Sequence, residues 1–183
     1  GKYSLSPHFT DTGRSYFELS GKRFGVIGMG NIGKRVAAIA SAFGSEVVYS
    51  STSGAAHCED YKHIGMDELL ATSDIISIHS PLNDKTDNLI DYRQICKMKS
   101  SAIIVNMGRG GIVNEADLAK ALNEDKIAGA VVDVYTKEPL PSDHPYLKVN
   151  NPEKLILTPH IAWASVEARE RLVGIIAENI EKY

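Results

Sequence analysis

Three side chains in this sequence could carry anion recognition and proton transfer, and each stands just past an apolar run. They are Arg109 in Asn106-Met-Gly-Arg-Gly110, Glu138 five residues beyond Asp133, and His160 in Thr158-Pro-His160. A guanidinium presents a planar fork that grips a carboxylate through two hydrogen bonds. An imidazole gives or takes a proton near neutral pH, and a carboxylate beside it orients the ring and favours its charged form. A 2-oxo acid undergoing reduction needs both services, one at its carboxylate and one at the carbonyl oxygen that becomes an alcohol. Taken singly, an arginine in a glycine-rich loop is commonly a surface ion-pair partner, and a glutamate before proline is usually just solvated. Their joint placement on successive strand exits is what raises them above that background. His79 also ends a strand, but Pro81 follows it closely and it reads as structural.

The run Phe24-Gly-Val-Ile-Gly-Met-Gly-Asn-Ile-Gly33 leads straight into the helical stretch from Lys34 to Phe43. Strand, Gly28-x-Gly30-x-x-Gly33 and helix in that order form a pyrophosphate cradle. Gly28 permits the tight turn, Gly30 lets the backbone approach phosphate without a Cβ in the way, and Gly33 lets helix and strand pack closely. The free N–H groups of the helix start then face the anion. A dinucleotide is therefore the expected cofactor, and its nicotinamide form would supply the hydride.

Elements that position these residues follow from the apolar pattern. Strands are expected from Phe24, at Glu46–Tyr49, Asp74–His79, Ala102–Asn106, Gly129–Val134 and Leu155–Leu157, with helices at Met66–Ala71 and from Ser165 onward. Asp91 with Gln94 resembles a capping box for a short helix reaching Lys97, and Asn114 with Asp117 suggests another helix start. Thr136 to Pro152, with four prolines, reads as loop. Near-continuous apolar strands alternating with helices imply an α/β, Rossmann-type doubly wound parallel sheet with helices on both faces. Ligands in such sheets bind at the carboxyl ends of the strands, where the residues named above fall.

With 183 residues the chain is long enough for one well-buried domain. Lys and Arg total 20 against 23 Asp and Glu, a net charge of −3, and no long basic cluster offers a nucleic-acid footprint. No apolar stretch approaches a membrane span, and the first residues do not read as a signal peptide, so a cytoplasmic location is expected. Two cysteines, Cys58 and Cys96, fit neither a disulfide framework nor a zinc site and read as reduced and structural; no metal is expected.

The strings GMGNIGKRVA, SIHSPLNDKT, VNMGRGGIVNEADL, VVDVYTKEPL and LTPHIAWAS, in this order and spacing, resemble the nucleotide-binding domain of the D-isomer-specific 2-hydroxyacid dehydrogenases across nearly the whole chain. The resemblance implies that Arg109 binds substrate, His160 is the acid/base and Glu138 pairs with it. It implies Gly28, Gly30, Asn31, Ile32 and Gly33 at the pyrophosphate, and Ser80, Pro81 and Thr86 on the ribose side. Met107, Gly108, Arg109 and His160 would lie at the nicotinamide end, with Asp133 at the carboxamide. The ending HIAWAS is similar to the glycerate dehydrogenase and hydroxypyruvate reductase branch, implying hydroxypyruvate or glyoxylate as substrate.

Two departures matter. Where the family usually carries an acidic residue for the ribose 2′-hydroxyl, Ser51 stands, followed by Thr52. That removes repulsion against a 2′-phosphate, and no Arg stands close by in sequence, so both NAD and NADP are expected to bind. The family's substrate domain is also not visible in this sequence. Residues 1–20 correspond to its connecting arm and 21–183 to the nucleotide-binding domain, which implies a homodimer through this domain and weak or no turnover by this segment alone. A dinucleotide-sensing co-repressor of the C-terminal-binding protein type is the alternative from another class. Formate dehydrogenase is disfavoured by Glu138, and short-chain dehydrogenases by the lack of any Tyr followed four places later by Lys.

Overall fold

In the computed structural model, which describes residues 3–11, 13, 16–56 and 58–183, each apolar run becomes a strand. Among the described residues seven strands and five α-helices follow in the order β1 (Arg23–Ile27), α1 (Asn31–Ala42), β2 (Glu46–Ser50), β3 (Lys62–His63), α2 (Met66–Thr72), β4 (Ile75–Ile78), α3 (Tyr92–Ile95), β5 (Ile103–Asn106), α4 (Glu115–Asn123), β6 (Gly129–Val132), β7 (Leu155–Leu157) and α5 (Val166–Lys182). All strand pairs are parallel, in the order β3-β2-β1-β4-β5-β6-β7. The doubly wound expectation holds. The chain starts in mid-sheet and winds outward both ways, so the direction of winding reverses between β1 and β4. That reversal opens a crevice where their carboxyl ends diverge.

Period-two alternation divides the core. Val26, Val47 and Tyr49 face α1 and pack with its Ala37 and Ala40, small residues that let the helix lie close to the sheet. Ile27, Val48, Ile76, Ile78, Ile104, Ala130 and Val132 point the other way, into a larger core with Leu69, Leu70, Ile95, Leu118 and Leu122 of α2, α3 and α4. Toward β7 the α1 side of the sheet is thinly covered. Ile103 and Ile156 are exposed there, and no residue of α5 is buried.

The expected helix starts are made as read. Asp91, Asn114 and Ser165 each accept a backbone N–H three residues on. The Asp91 box is half formed, since the Gln94 side-chain oxygen is buried without a partner among the described residues. Three details differ from the sequence reading. β3 was not expected, because two polar residues carry no apolar period; they become a strand by pairing with Val48 and Tyr49. The stretch read as loop from Thr136 contains two 3₁₀ turns, Pro145–Lys148 and Pro152–Lys154, with proline first in each and His144 and Asn151 as caps. Cys58 is buried against the Tyr49 hydroxyl, but Cys96 is exposed and fills no core. Of the expected arm, Gly1, Lys2, Thr12, Arg14 and Ser15 lie outside the described residues.

Candidate active site

At the turn after β1, the three glycines answer to different neighbours. Gly28 has φ +94°, and a Cβ there would stand 2.7 Å from the Ser80 nitrogen on the β4 exit. A Cβ at Gly33 would come within 2.2 Å of the Gly28 carbonyl oxygen. Around Gly30 a Cβ would meet nothing within 4 Å. The protein's own packing thus requires the first and third glycines, whereas the middle one leaves open a space that only an outside group would use. Gly30 caps α1 without a side chain, and the first helical N–H to reach a carbonyl is that of Lys34, bonded to Gly30. The N–H groups of Asn31, Ile32 and Gly33 precede it and remain for an anion. Nearby, the Ser80 hydroxyl is buried with no partner among the described residues. This donor set fits a dinucleotide pyrophosphate.

Ile32, Ser80, Pro81, Met107, Gly108 and Arg109 line one cavity of about 470 Å³. The loop carrying Arg109 is braced from below by the buried Asn106, whose side chain accepts the Gly108 N–H and donates to the Arg109 carbonyl. The guanidinium itself turns back to the Gly108 carbonyl at 2.8 Å. Thr86 is fully buried, and its hydroxyl donates to Pro81 and accepts from Asn83, so it holds its own loop. His79 also lines this cavity and pairs with Ser77 through Nε2; burial pushes its pKa down, in keeping with a structural, uncharged ring.

At the end of β2, Thr52 and Ser53 share a cavity of about 390 Å³ with Asn83, Asp84 and Lys85, and the Ser51 and Ser53 hydroxyls lie 2.8 Å apart. Lys85 escaped the sequence reading, which sought a cation only close to Ser51 along the chain. It arrives from the β4 exit, across the crevice.

His160 and Glu138 meet directly, with imidazole Nδ1 and carboxylate Oε2 2.8 Å apart and both side chains about one-third exposed. The other Glu138 oxygen accepts the Tyr135 N–H at 2.9 Å. The hydrogen bond to His160, then the one from Tyr135, hold the Glu138 carboxyl below its ordinary value. With Nδ1 committed to the carboxylate, Nε2 is the nitrogen left for proton exchange. Both residues line a cavity of about 630 Å³ with Tyr135, Leu140, Thr158 and Pro159. His160 has φ +54°, a left-handed conformation uncommon for a residue with a Cβ.

The turn beneath His160 is tied to Asp133. One oxygen of this buried carboxylate accepts from the Thr158 hydroxyl at 2.5 Å and the Ile161 N–H at 2.9 Å, and the other from the Ala162 N–H at 2.9 Å. Burial pushes its pKa up, but these three donors outweigh that and hold it below the ordinary carboxylate value. Of the three residues picked from the sequence for chemistry, then, two are joined and the third is a neighbour. No hydrogen bond or ion pair links Arg109 to either. Its loop nevertheless abuts theirs, because a Cβ at Gly110 would stand 2.0 Å from the Tyr135 carbonyl carbon. Sequence reasoning also missed Glu115 and His144, a part-buried pair behind this loop. Among the described residues no group of three His, Cys, Asp or Glu could hold a metal, and no helix is long and apolar enough to cross a membrane.

Residues 5–162 match the family model described as D-isomer specific 2-hydroxyacid dehydrogenase, NAD binding domain. The chain is 39% identical to a hydroxypyruvate reductase of Blautia hydrogenotrophica, over 100% of this chain and 56% of that protein. It is 45% identical to a glyoxylate reductase of Aeropyrum pernix, over 89% and 49%. A solved acyclic imino acid reductase, in complex with NADPH and D-Arg, superposes with a TM-score of 0.86 at 34% identity, covering 100% of this chain and 56% of its own. The chain thus spans about half the length of the curated relatives it matches.

Proposed function

This chain belongs to the D-isomer specific 2-hydroxyacid dehydrogenase family as an NAD-binding domain, and from that premise we propose that the protein reduces a small 2-oxo acid to its 2-hydroxy acid. Hydroxypyruvate and glyoxylate are the leading substrates, in line with the relatives' names. The observation that carries this reading is the 2.8 Å pairing of His160 with Glu138 on the same carboxyl edge of the sheet as the glycine cradle. Residues 21–183 form the nucleotide-binding unit in this reading, and 1–20 an arm.

The glycine cradle and the rim at Met107, Gly108 and Asp133 would hold a reduced nicotinamide dinucleotide, which would supply hydride for the carbonyl carbon. Arg109 swings from the Gly108 carbonyl to take the substrate carboxylate in its fork. Glu138 holds the imidazole by Nδ1, and His160 hands the Nε2 proton to the carbonyl oxygen as the C–O double bond becomes a hydroxyl. Gly28, Gly30, Asn31, Ile32 and Gly33 hold the pyrophosphate, with Ser80, Pro81 and Thr86 shaping the crevice on the ribose side. Met107, Gly108 and Asp133 border the nicotinamide end. Ser51 and Thr52 meet the adenosine ribose, and Lys85 stands on the same cavity as Thr52 to offset a 2′-phosphate, so NAD and NADP both bind. A homodimer formed through this domain is favoured by the exposed Leu5, Tyr16 and Phe17 of the arm.

Initial rates of the intact protein with hydroxypyruvate, glyoxylate, pyruvate and phosphohydroxypyruvate, each with NADH and NADPH, test the reading. His160→Ala should lower kcat by about a hundredfold to ten-thousandfold, and Arg109→Ala should also raise KM for the acid. Lys85→Ala should weaken NADPH more than NADH. Failure to reduce any of the four acids, or an unaltered rate in His160→Ala, removes the assignment.

A further inference from the structure

Helix α4 begins on Glu115, yet that carboxylate is not used by the helix. The Asn114 side chain already caps the first turn by accepting the Asp117 N–H. Glu115 turns inward instead. One oxygen accepts the Thr136 N–H at 2.7 Å, and the other lies 2.9 Å from Nε2 of His144, with the two side chains only 15% and 5% exposed. His144 takes the Tyr146 N–H on Nδ1, so the hydrogen on Nε2 points to Glu115. The amide next to Thr136, that of Tyr135, is the one that holds Glu138.

Burying a carboxylate is costly unless its lone pairs are met, and an exposed glutamate in this first helical turn would serve the helix dipole just as well. The inward placement therefore calls for another account. Glu115 follows Gly110 by five residues, and a Cβ at Gly110 would stand 2.0 Å from the Tyr135 carbonyl carbon and 2.4 Å from the Thr136 nitrogen. One part-buried carboxylate thus locks the segment carrying Arg109 against the turn carrying Glu138.

We infer that Glu115, seated on His144, is a positioning residue for the reduction: by holding the Thr136 amide it fixes the turn whose Tyr135 N–H aims Glu138 at His160. The inference rests on the reading of His160 as proton donor. Neither residue touches substrate or cofactor; they act through Glu138.

A double-variant cycle in the intact protein tests it, with kcat, KM and NADH affinity measured for Glu115→Ala, Glu115→Gln, Glu138→Gln and the combinations. Glu115→Ala should lower kcat about tenfold to a hundredfold, the scale of a small misplacement of reacting groups, with NADH affinity changed by less than about twofold because the glycine cradle is separate. Glu115→Gln should recover part of the loss, since its amide oxygen still accepts the Thr136 N–H. Added to Glu138→Gln, either change should cost no further kcat. Fully additive losses, an unchanged kcat, or a parallel loss of NADH affinity each overturn the inference. If Glu115→Ala fails to fold, Glu115→Gln carries the cycle. If the wild type reduces no 2-oxo acid, the parent reading fails on its own and amide exchange decides this one. Exchange at Tyr135 and Thr136 should quicken together, strongly in Glu115→Ala and less in Glu115→Gln, whose amide keeps the Thr136 bond but no longer accepts from His144 on its second atom; quickening at Thr136 alone overturns it.

Discussion

Asp133 shows how much a single residue's role depends on what surrounds it. The family resemblance implies a place for it at the carboxamide. The structure adds a second duty, because its two oxygens gather Thr158, Ile161 and Ala162 into the turn on which His160 stands. Its lowered pKa gives that duty a pH signature. A carboxyl that ionises more readily folded than unfolded stabilises the fold fully above its ordinary value of 3.8, and the contribution disappears as pH falls through the lower, folded value. Asp133→Asn should cost roughly 1.5–3 kcal/mol at neutral pH, since one of the three donors then faces an NH₂ group. Urea unfolding at about pH 6 and about pH 3 should show the gap between wild type and variant closing on acidification; a constant gap would refute the assignment. The Glu138–His160 pair was legible in the sequence because both residues follow apolar runs. Glu115 and His144 were not, since a helix-start glutamate and a loop histidine carry no spacing that says they meet.

Among the elements, legibility tracked apolar length. β1, β4, β5 and β6 are each built on a short, largely apolar run of four or five residues, and all were read within a residue or two. β3 and the 3₁₀ turns depend on partners contributed from elsewhere in the fold, and local pattern is silent about them. The glycine turn was read correctly as a motif, but only the coordinates separate its members. Gly33→Ala forces a Cβ onto the Gly28 carbonyl and should lower Tm along with cofactor affinity. Gly30→Ala should leave Tm unchanged, because its Cβ would meet nothing within 4 Å, and still weaken NADH binding if the pyrophosphate sits there as proposed. Thermal melts beside NADH fluorescence titrations check both, and a destabilised Gly30→Ala protein would contradict the account of the cradle.

For the molecule as a whole, the site lies on an open rim. Glu138 and His160 are each about one-third exposed, so water has access to the groups that exchange the proton. This 183-residue polypeptide should therefore bind NADH but reduce hydroxypyruvate slowly. Single-turnover rates for this polypeptide that match those of the intact protein would show that no further wall is needed. The apolar residues left open on α5, among them Leu172, Val173 and Ile176, and on the neighbouring sheet face belong to the same picture of a unit with uncovered surface.

The left-handed backbone at His160 sets stability against activity at one residue. Glycine occupies that conformation freely and alanine does not, so His160→Gly should melt above His160→Ala by about 1 kcal/mol in stability, the reverse of the usual ranking of the two residues. Heat tolerance alone would favour glycine there. On the proposed reading, the imidazole there puts a proton carrier in a conformation better suited to a residue that cannot carry one.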